Sequence, residues 1–326
     1  MNTRKSQVQV LEIGPEEADQ RIDNYLLRIL KGVPKSRIYR LLRKGEVRVN
    51  KGRIRADYRL AAGDRVRIPP VSTAAEKPGP GPAPGRLLTE RILYEDDRLL
   101  VVDKPAGMAV HGGSGLSFGV IEALRGSRPE AKFLELVHRL DRETSGCLIL
   151  AKRRSALRAL HEQLRENRMD KRYFALVRGR LAAGRQRVEA PLRRNQLRGG
   201  ERMVRVAEDG KPARTDFTLV EAWPGASLVE AVLYTGRTHQ IRVHAAHLGH
   251  PLAGDDKYGD PDFNRALKAR GLNRLFLHAH FIAFDHPATG ERLQVSAPLD
   301  ADLRGVLERL HSDPIEQTAD GDSREA

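Results

Sequence analysis

The first residue that could do chemistry is Asp141. It stands in the run His138-Arg139-Leu140-Asp141-Arg142-Glu143-Thr144-Ser145-Gly146, with an arginine close on either side. Positive neighbours favour the charged form of a carboxylate. A charged carboxylate can attack as a nucleophile or accept a proton. The same spacing also describes a solvated turn with ion pairs, and spacing alone leaves both readings open. Two more groups stand out. Tyr173 enters the apolar run 173–177, and Arg242 lies in Gly236-Arg237-Thr238-His239-Gln240-Ile241-Arg242-Val243-His244. On a helix His239 and Arg242 share a face. By spacing alone Tyr173 reads rather as a core aromatic, and Arg242 equally as an exposed cation.

Other chemistries find less support. His239, His244, His247 and His250 invite a metal, but no carboxylate stands at the spacing of a zinc hydrolase. No metal is expected. Cys147 is the single cysteine; inside an apolar run it reads as a small buried residue rather than a nucleophile. The glycines at 112 and 113 lack the Gly-Lys-Ser/Thr ending of a nucleotide loop and read as a tight turn.

Elements must hold these residues in place. The apolar runs 133–137 and 147–151 flank the Asp141 stretch, which therefore reads as a loop between two buried strands. Upstream, 92–94 and 99–102 read as strands around a turn at 95–97. Downstream comes a helix capped by Ser155, with Leu157, Leu160 and Leu164 inward. Strands follow at 171–177, 215–220 and 228–233. Thr238 is placed to cap a helix with Ile241, Ala245 and Leu248 as its apolar stripe, ended by Gly249 and Pro251. Strands at 275–284 and 293–297 close the domain.

The N-terminal part differs in kind. Ile22, Leu26, Ile29 and Leu30 recur at helical spacing. A second helix has Ser36 as its cap and Ile38, Leu41 and Leu42 as its stripe. Val47 and Val49, a turn at 50–52, and Val66 with Ile68 make a small sheet. Residues 19–70 hold 15 Lys or Arg against 5 Asp or Glu, a surplus of ten within a chain whose net charge is +14. Such an imbalance repels itself unless a polyanion neutralises it. Aromatics are few here (Tyr25, Tyr39, Tyr58), so phosphate and shape contacts are expected rather than base stacking. The segment 77–85 alternates Pro and Gly and reads as a linker.

His-Arg-Leu-Asp-x-x-Thr-Ser-Gly at 138–146 resembles the signature of the RluA-type pseudouridine synthases. Lys171-x-Tyr173, the run 236–244 and Asp255-Asp256-Lys257-Tyr258-Gly259 extend the resemblance. It is closest to the members that act on large-subunit (23S) ribosomal RNA, through 31–36 and 111–119. Residues 21–26, 33–36, 45–50 and 63–64 resemble the S4 RNA-binding domain. The resemblance implies an α+β protein: a small S4-type module, then a larger mixed, mostly antiparallel sheet with the active cleft across its middle. It implies Asp141 as the catalytic carboxylate, Tyr173 stacking on the target uracil and assisting proton transfer, and Arg242 paired with Asp141. Arg139 would hold the RNA open where the base has left the stack. In the S4 module, Arg21, Lys35, Ser36, Arg37, Arg40, Arg43 and Lys44 would contact RNA. The family's usual Asn before Lys-Pro is Asp103 in this chain.

The expected organisation is a polar lead-in at 1–18, the S4-like domain at 19–72, a linker at 73–88, the catalytic domain at 89–311 and a disordered acidic tail at 312–326. Ribosomal RNA is the expected partner, and the isomerisation requires no cofactor. No apolar run reaches the length of a membrane span, and residues 1–10 lack the apolar core of a secretory signal, so a cytoplasmic protein is expected. A non-catalytic S4-type RNA binder is the rival reading, and a metal-dependent RNA hydrolase a weaker one.

Overall fold

The computed structural model describes residues 4–5, 7–15, 17–30, 32–73, 82–112, 118–196 and 202–315. The chain parts into two units near residue 80. The first holds β1 (Arg4–Lys5), β2 (Gln9–Glu12), α1 (Ile22–Ile29), α2 (Lys35–Arg43), β3 (Arg48–Val49), β4 (Arg65–Ile68) and β5 (Ser72–Thr73). β2, β4 and β3 form an antiparallel sheet in that order, and β1 pairs with β5. Ile22, Leu26, Ile38, Leu41 and Leu42 are buried with Val47, Val49, Val66 and Ile68, as helical and alternating spacing requires. A buried carboxylate ties the helices together: Asp23 accepts two N–H groups of Arg21 (3.1 and 2.7 Å) and the Tyr39 hydroxyl (2.8 Å).

Two expectations fail in this unit. Residues 1–18 are not merely a lead-in, because β2 pairs along β4 and Ile13 is buried; alternating polar residues hid an edge strand. Ser36 does not cap α2. Pro34 stands at the cap and Ser36 lies in the first turn.

The second unit opens with α3 (Pro82–Thr89), where the sequence suggested linker. Proline is tolerated in the first helical turn, since that N–H has no partner in any case. Gly85 explains the rest: a Cβ there would lie 2.7 Å from Ser127 Cβ and 2.8 Å from the Ala123 carbonyl, so only glycine lets the two segments approach. Residues 74–81 lie outside the described residues.

After α3 come β6 (Ile92–Glu95), β7 (Leu99–Lys104), α4 (Val120–Ser127), β8 (Glu135–Leu136), β9 (Ser145–Ala151), α5 (Arg154–Arg165), β10 (Asp170–Arg178) and β11 (Arg185–Glu189). They are followed by β12 (Leu192–Gln196), β13 (Arg202–Val206), β14 (Arg214–Trp223), β15 (Ala226–Leu233), α6 (Gln240–His247), α7 (Pro261–Ala269), β16 (Leu277–Asp285), β17 (Arg292–Ser296) and α8 (Ala301–Ser312). Ten strands make one sheet in the order β11-β14-β15-β10-β16-β9-β7-β6, with β17 on β16 and β8 on β9. Every pairing is antiparallel except β9 with β16. One face packs on α4 and α6 through Val120, Leu124, Ile241 and Ala245. The other packs on α5 through Ala156 and Leu160, and on α7 and α8 through Leu267, Leu303 and Val306. β7 and β9, covered on both faces, are buried at every residue.

Ser155 sits inside α5 rather than capping it. The chain stays ordered into the expected tail: α8 runs to Ser312 and Ile315 packs on the Trp223 cluster. Residues 316–326 lie outside the described residues.

The parallel join is where the Asp141 loop enters the sheet. Gly146 has φ 105°, and a Cβ there would lie 2.3 Å from the Ala279 carbonyl oxygen. Gly146→Ala is expected to cost about 3 kcal/mol in urea unfolding, combining strain and overlap. Gly290→Ala, also at positive φ but in open space, should cost only about 1 kcal/mol.

Candidate active site

The loop before β9 is held from beneath. Lys104, at the end of β7 and fully buried, donates to the carbonyls of Pro105 (2.9 Å), Met108 (2.8 Å) and Arg142 (3.0 Å). Its three N–H groups match three acceptors, although burial pulls the ammonium down to about 7. A turn closes from Thr144 N–H to the Asp141 carbonyl (3.2 Å). Ser145 Oγ meets His278 Nδ1 (2.8 Å) and accepts from Arg274 (3.1 Å). His138 accepts the Ile149 N–H (3.1 Å), and burial lowers its pKa to about 4, so at neutral pH it is an uncharged strut.

Above the loop lies a cleft of about 520 Å³, within the range that takes a small ligand. Asp141, Tyr173 and Arg242 all line it, with Arg139, Lys171 and His239. Tyr173 comes from β10, opposite a break in register with β16. It is 7% exposed, and burial, with the charge of Asp141, pushes its phenol well above the usual range. It enters the site as a neutral ring. Arg242 comes from α6. Its Nη1 lies 3.9 Å from Asp141 Oδ2.

The arginine facing Asp141 is not one of those beside it in sequence. Arg142 turns away to the Gly107 carbonyl (3.0 Å), and Arg139 is exposed at the cleft. Nor is Asp141 the main partner of Arg242. That guanidinium donates to both oxygens of buried Asp255, at 2.7 and 2.6 Å. Burial and this pair act in opposite directions on each partner, and the pair prevails: Arg242 is raised and Asp255 lowered. The second group at Asp141 is His239, with Nε2 3.8 Å from Oδ2. Thr238 does not cap α6. His239 occupies that position in a left-handed conformation and makes no side-chain cap.

Spacing puts His239 on the Arg242 face but gives it no partner, and the resemblance takes in Asp255 and Tyr258 without a role for either. The signal for Asp255 was a second carboxylate within one loop of a cationic helix. Lys104 had no signal beyond Lys-Pro. The other histidines do not converge. His244 is buried between Thr215 Oγ1 (2.9 Å) and the Ala190 carbonyl (3.0 Å), and His250 meets the Arg178 carbonyl (2.8 Å). Among the described residues no three His, Cys, Asp or Glu side chains gather as a metal site.

In the first unit Lys35, Ser36, Arg40, Arg43 and Lys44 are exposed along α2, and Arg37 is half-buried. Arg37, Arg40, Arg43 and Lys44 have no carboxylate in ion-pair range among the described residues. Arg21 differs, being paired with Asp23.

Residues 98–247 match the RNA pseudouridylate synthase family and residues 20–66 the S4 domain. Ribosomal large subunit pseudouridine synthase C of Escherichia coli (strain K12) is 57% identical over 96% of this chain and 99% of its own length. The chain belongs to the RNA pseudouridylate synthase family. The protein of the same name from Haemophilus ducreyi is 56% identical over 95% of this chain and 98% of its own. Among solved structures, human RNA Pseudouridylate Synthase Domain Containing 4 superposes with a TM-score of 0.60 at 27% identity, over 71% of this chain and 97% of its own. The mixed, mostly antiparallel sheet is thus the family's fold, carrying an S4 domain at its N-terminal side in sequence.

Asp103, beside Lys104, gives this family member a pH-sensitive core. Its Oδ2 pairs with Arg91 (2.6 Å), which also pairs with Asp300 (2.7 Å), but its Oδ1 is buried without a partner. Burial, with the nearby charge of Asp300, raises its pKa to about 6, against about 4 in the unfolded chain. A carboxyl raised on folding contributes its stability below the unfolded pKa and loses it as pH rises through 6. Asp103→Asn is therefore expected to stabilise the protein at pH 8 by about 1–2 kcal/mol, after allowing for screening. The gain should vanish at pH 4 when unfolding is measured at both.

Proposed function

We propose that this protein converts chosen uridines of large-subunit ribosomal RNA to pseudouridine, with Asp141 as the reacting carboxylate. One observation carries the reading: Asp141, the neutral ring of Tyr173 and the Arg242 guanidinium line a single cleft. The names of relatives 56% and 57% identical over nearly the whole chain support the ribosomal substrate.

The reaction breaks the bond from C1′ to N1, turns the uracil over, and joins C1′ to C5. C5 gives up a proton and N1 gains one. Atoms and electrons balance within the nucleotide and its proton exchange, so the chemistry asks for no cofactor. Asp141 can attack C1′ or take the C2′ proton. Arg242 stabilises the carboxylate from 3.9 Å while Asp255 holds the guanidinium still. Drawing the base out of its helix costs a few kcal/mol, and stacking on Tyr173 offsets about 1–3 kcal/mol of that. Arg139, exposed at the cleft, would fill the place the base has left. Lys35, Ser36, Arg37, Arg40, Arg43 and Lys44 would seat the S4 domain on phosphates, while Arg21 acts mainly through Asp23. We place the reaction in the cytoplasm, where ribosomal RNA is made in bacteria; among the described residues no helix is long and apolar enough to cross a membrane.

Asp141→Asn is expected to lower tritium release from [5-³H]uridine-labelled ribosomal RNA by at least ~10³-fold, with RNA affinity kept. Turnover near wild type would end the assignment. Replacing Arg37, Arg40, Arg43 and Lys44 together by Ala should reduce the slope of log affinity against log salt by about 3. An unchanged slope would mean that this face is idle.

A further inference from the structure

The chain enters α6 through His239 at φ 54° and ψ 21°. A side chain other than glycine pays a strain of order 1 kcal/mol there. The result is that the ring stands in the cleft, 15% exposed, with Nε2 toward Asp141 Oδ2 at 3.8 Å. Its other nitrogen is engaged: Nδ1 lies 2.8 Å from the Tyr258 hydroxyl. The same hydroxyl oxygen accepts the backbone N–H of Val204 in β13, at 2.9 Å. The rings of His239 and Tyr258 meet edge to face, 5.6 Å between centroids, and the Arg242 guanidinium lies over the phenol at 5.0 Å.

These contacts favour one place for a proton, with the phenol O–H donating to Nδ1. A backbone N–H can only donate, so Val204 occupies one lone pair of the Tyr258 oxygen. Burial raises the phenol's pKa, so the O–H is retained at neutral pH. Among the described residues its only acceptor is His239 Nδ1. Nδ1 is then bare and the ring's hydrogen sits on Nε2, aimed at the carboxylate. We infer that His239 is a positioning residue for Asp141, a neutral Nε2–H donor whose tautomer is set by the phenol of Tyr258.

The charges around the ring agree. Burial, with Arg242 and Lys257, opposes protonation of His239, while Asp141 and Asp255 favour it. The opposing group prevails and the pKa is lowered, so the imidazole stays neutral at pH 7. A neutral donor orients the carboxylate without adding a second full positive charge. Two close cations would make Asp141 a weaker base and nucleophile. At 3.8 Å the contact is longer than a hydrogen bond. Such contacts commonly tighten when substrate seats. This role rests on the reading of Asp141 given above.

The test uses the full-length protein labelled with [¹⁵N]histidine, with the His239 signals identified by their loss in His239→Gln. Wild type is expected to show a protonated Nε2 and a bare Nδ1, and Tyr258→Phe to move the proton toward Nδ1. With a ribosomal RNA fragment, Tyr258→Phe should lower kcat roughly tenfold with KM within about twofold. His239→Gln, whose amide can donate from a similar place, should retain about ten times the kcat of His239→Ala. A protonated Nδ1 in wild type, a Tyr258→Phe kcat equal to wild type, or Gln no better than Ala would each overturn the inference. The tautomer is read without substrate, so its failure is separable from failure of the catalytic assignment, which Asp141→Asn decides.

Discussion

The site depends on the buried pair between Arg242 and Asp255. Two short N–H donations hold the guanidinium rigid in a place where an unpaired charge would cost several kcal/mol. The pair also divides the charge. Nε and Nη2 face Asp255, and only Nη1 faces Asp141, at 3.9 Å. The Asp141 carboxylate is attracted without being locked. Asp255 Oδ1 further accepts the N–H groups of Lys257 and Tyr258 (2.9 and 3.1 Å). One short turn thus fixes both the cation and the phenol that orients His239.

The opposite wall is built by different means. Lys104 serves as a three-way hydrogen-bond hub. Its three carbonyl partners come from its own turn and from the Asp141 loop, so the loop rides on β7. Gly146 then lets β9 run alongside β16 at a distance no other residue permits. Asp141 stays partly exposed at the cleft, while the residues just beyond it, Thr144 and Ser145, are buried and anchored.

Much of this was legible beforehand, and the residues show why. Strands and helices with strong apolar periodicity, such as β7, β9, β10 and α1, appear where their patterns place them. The loop of Asp141 was legible because a long run of specific residue types coincides with a break between strands. What was not legible depends on partners distant in sequence. Arg139 and Arg142 looked like the cations of Asp141 because they are its neighbours, yet Arg142 turns to the Gly107 carbonyl, Arg139 makes no ion pair with Asp141 among the described residues, and α6 brings Arg242 instead. Ser36, Ser155 and Thr238 are good capping types, but none is found capping its helix; at α6, His239 takes the capping place with a backbone conformation that side-chain chemistry does not announce. Pro82 and Pro84 hid a helix because proline's prohibition does not hold in a first turn. Gln9–Glu12 hid a strand because an edge needs little apolar surface.

The parallel join of β9 and β16 sets an order of assembly. Ser145 and His278 are 133 residues apart in sequence, and contacts so far apart must wait for the intervening chain. During synthesis the S4 domain, with a core of its own, leaves the ribosome long before the strand that completes the loop of Asp141. A nascent chain can thus hold RNA before it is able to alter it, and chemistry begins only once nearly the whole protein has been made.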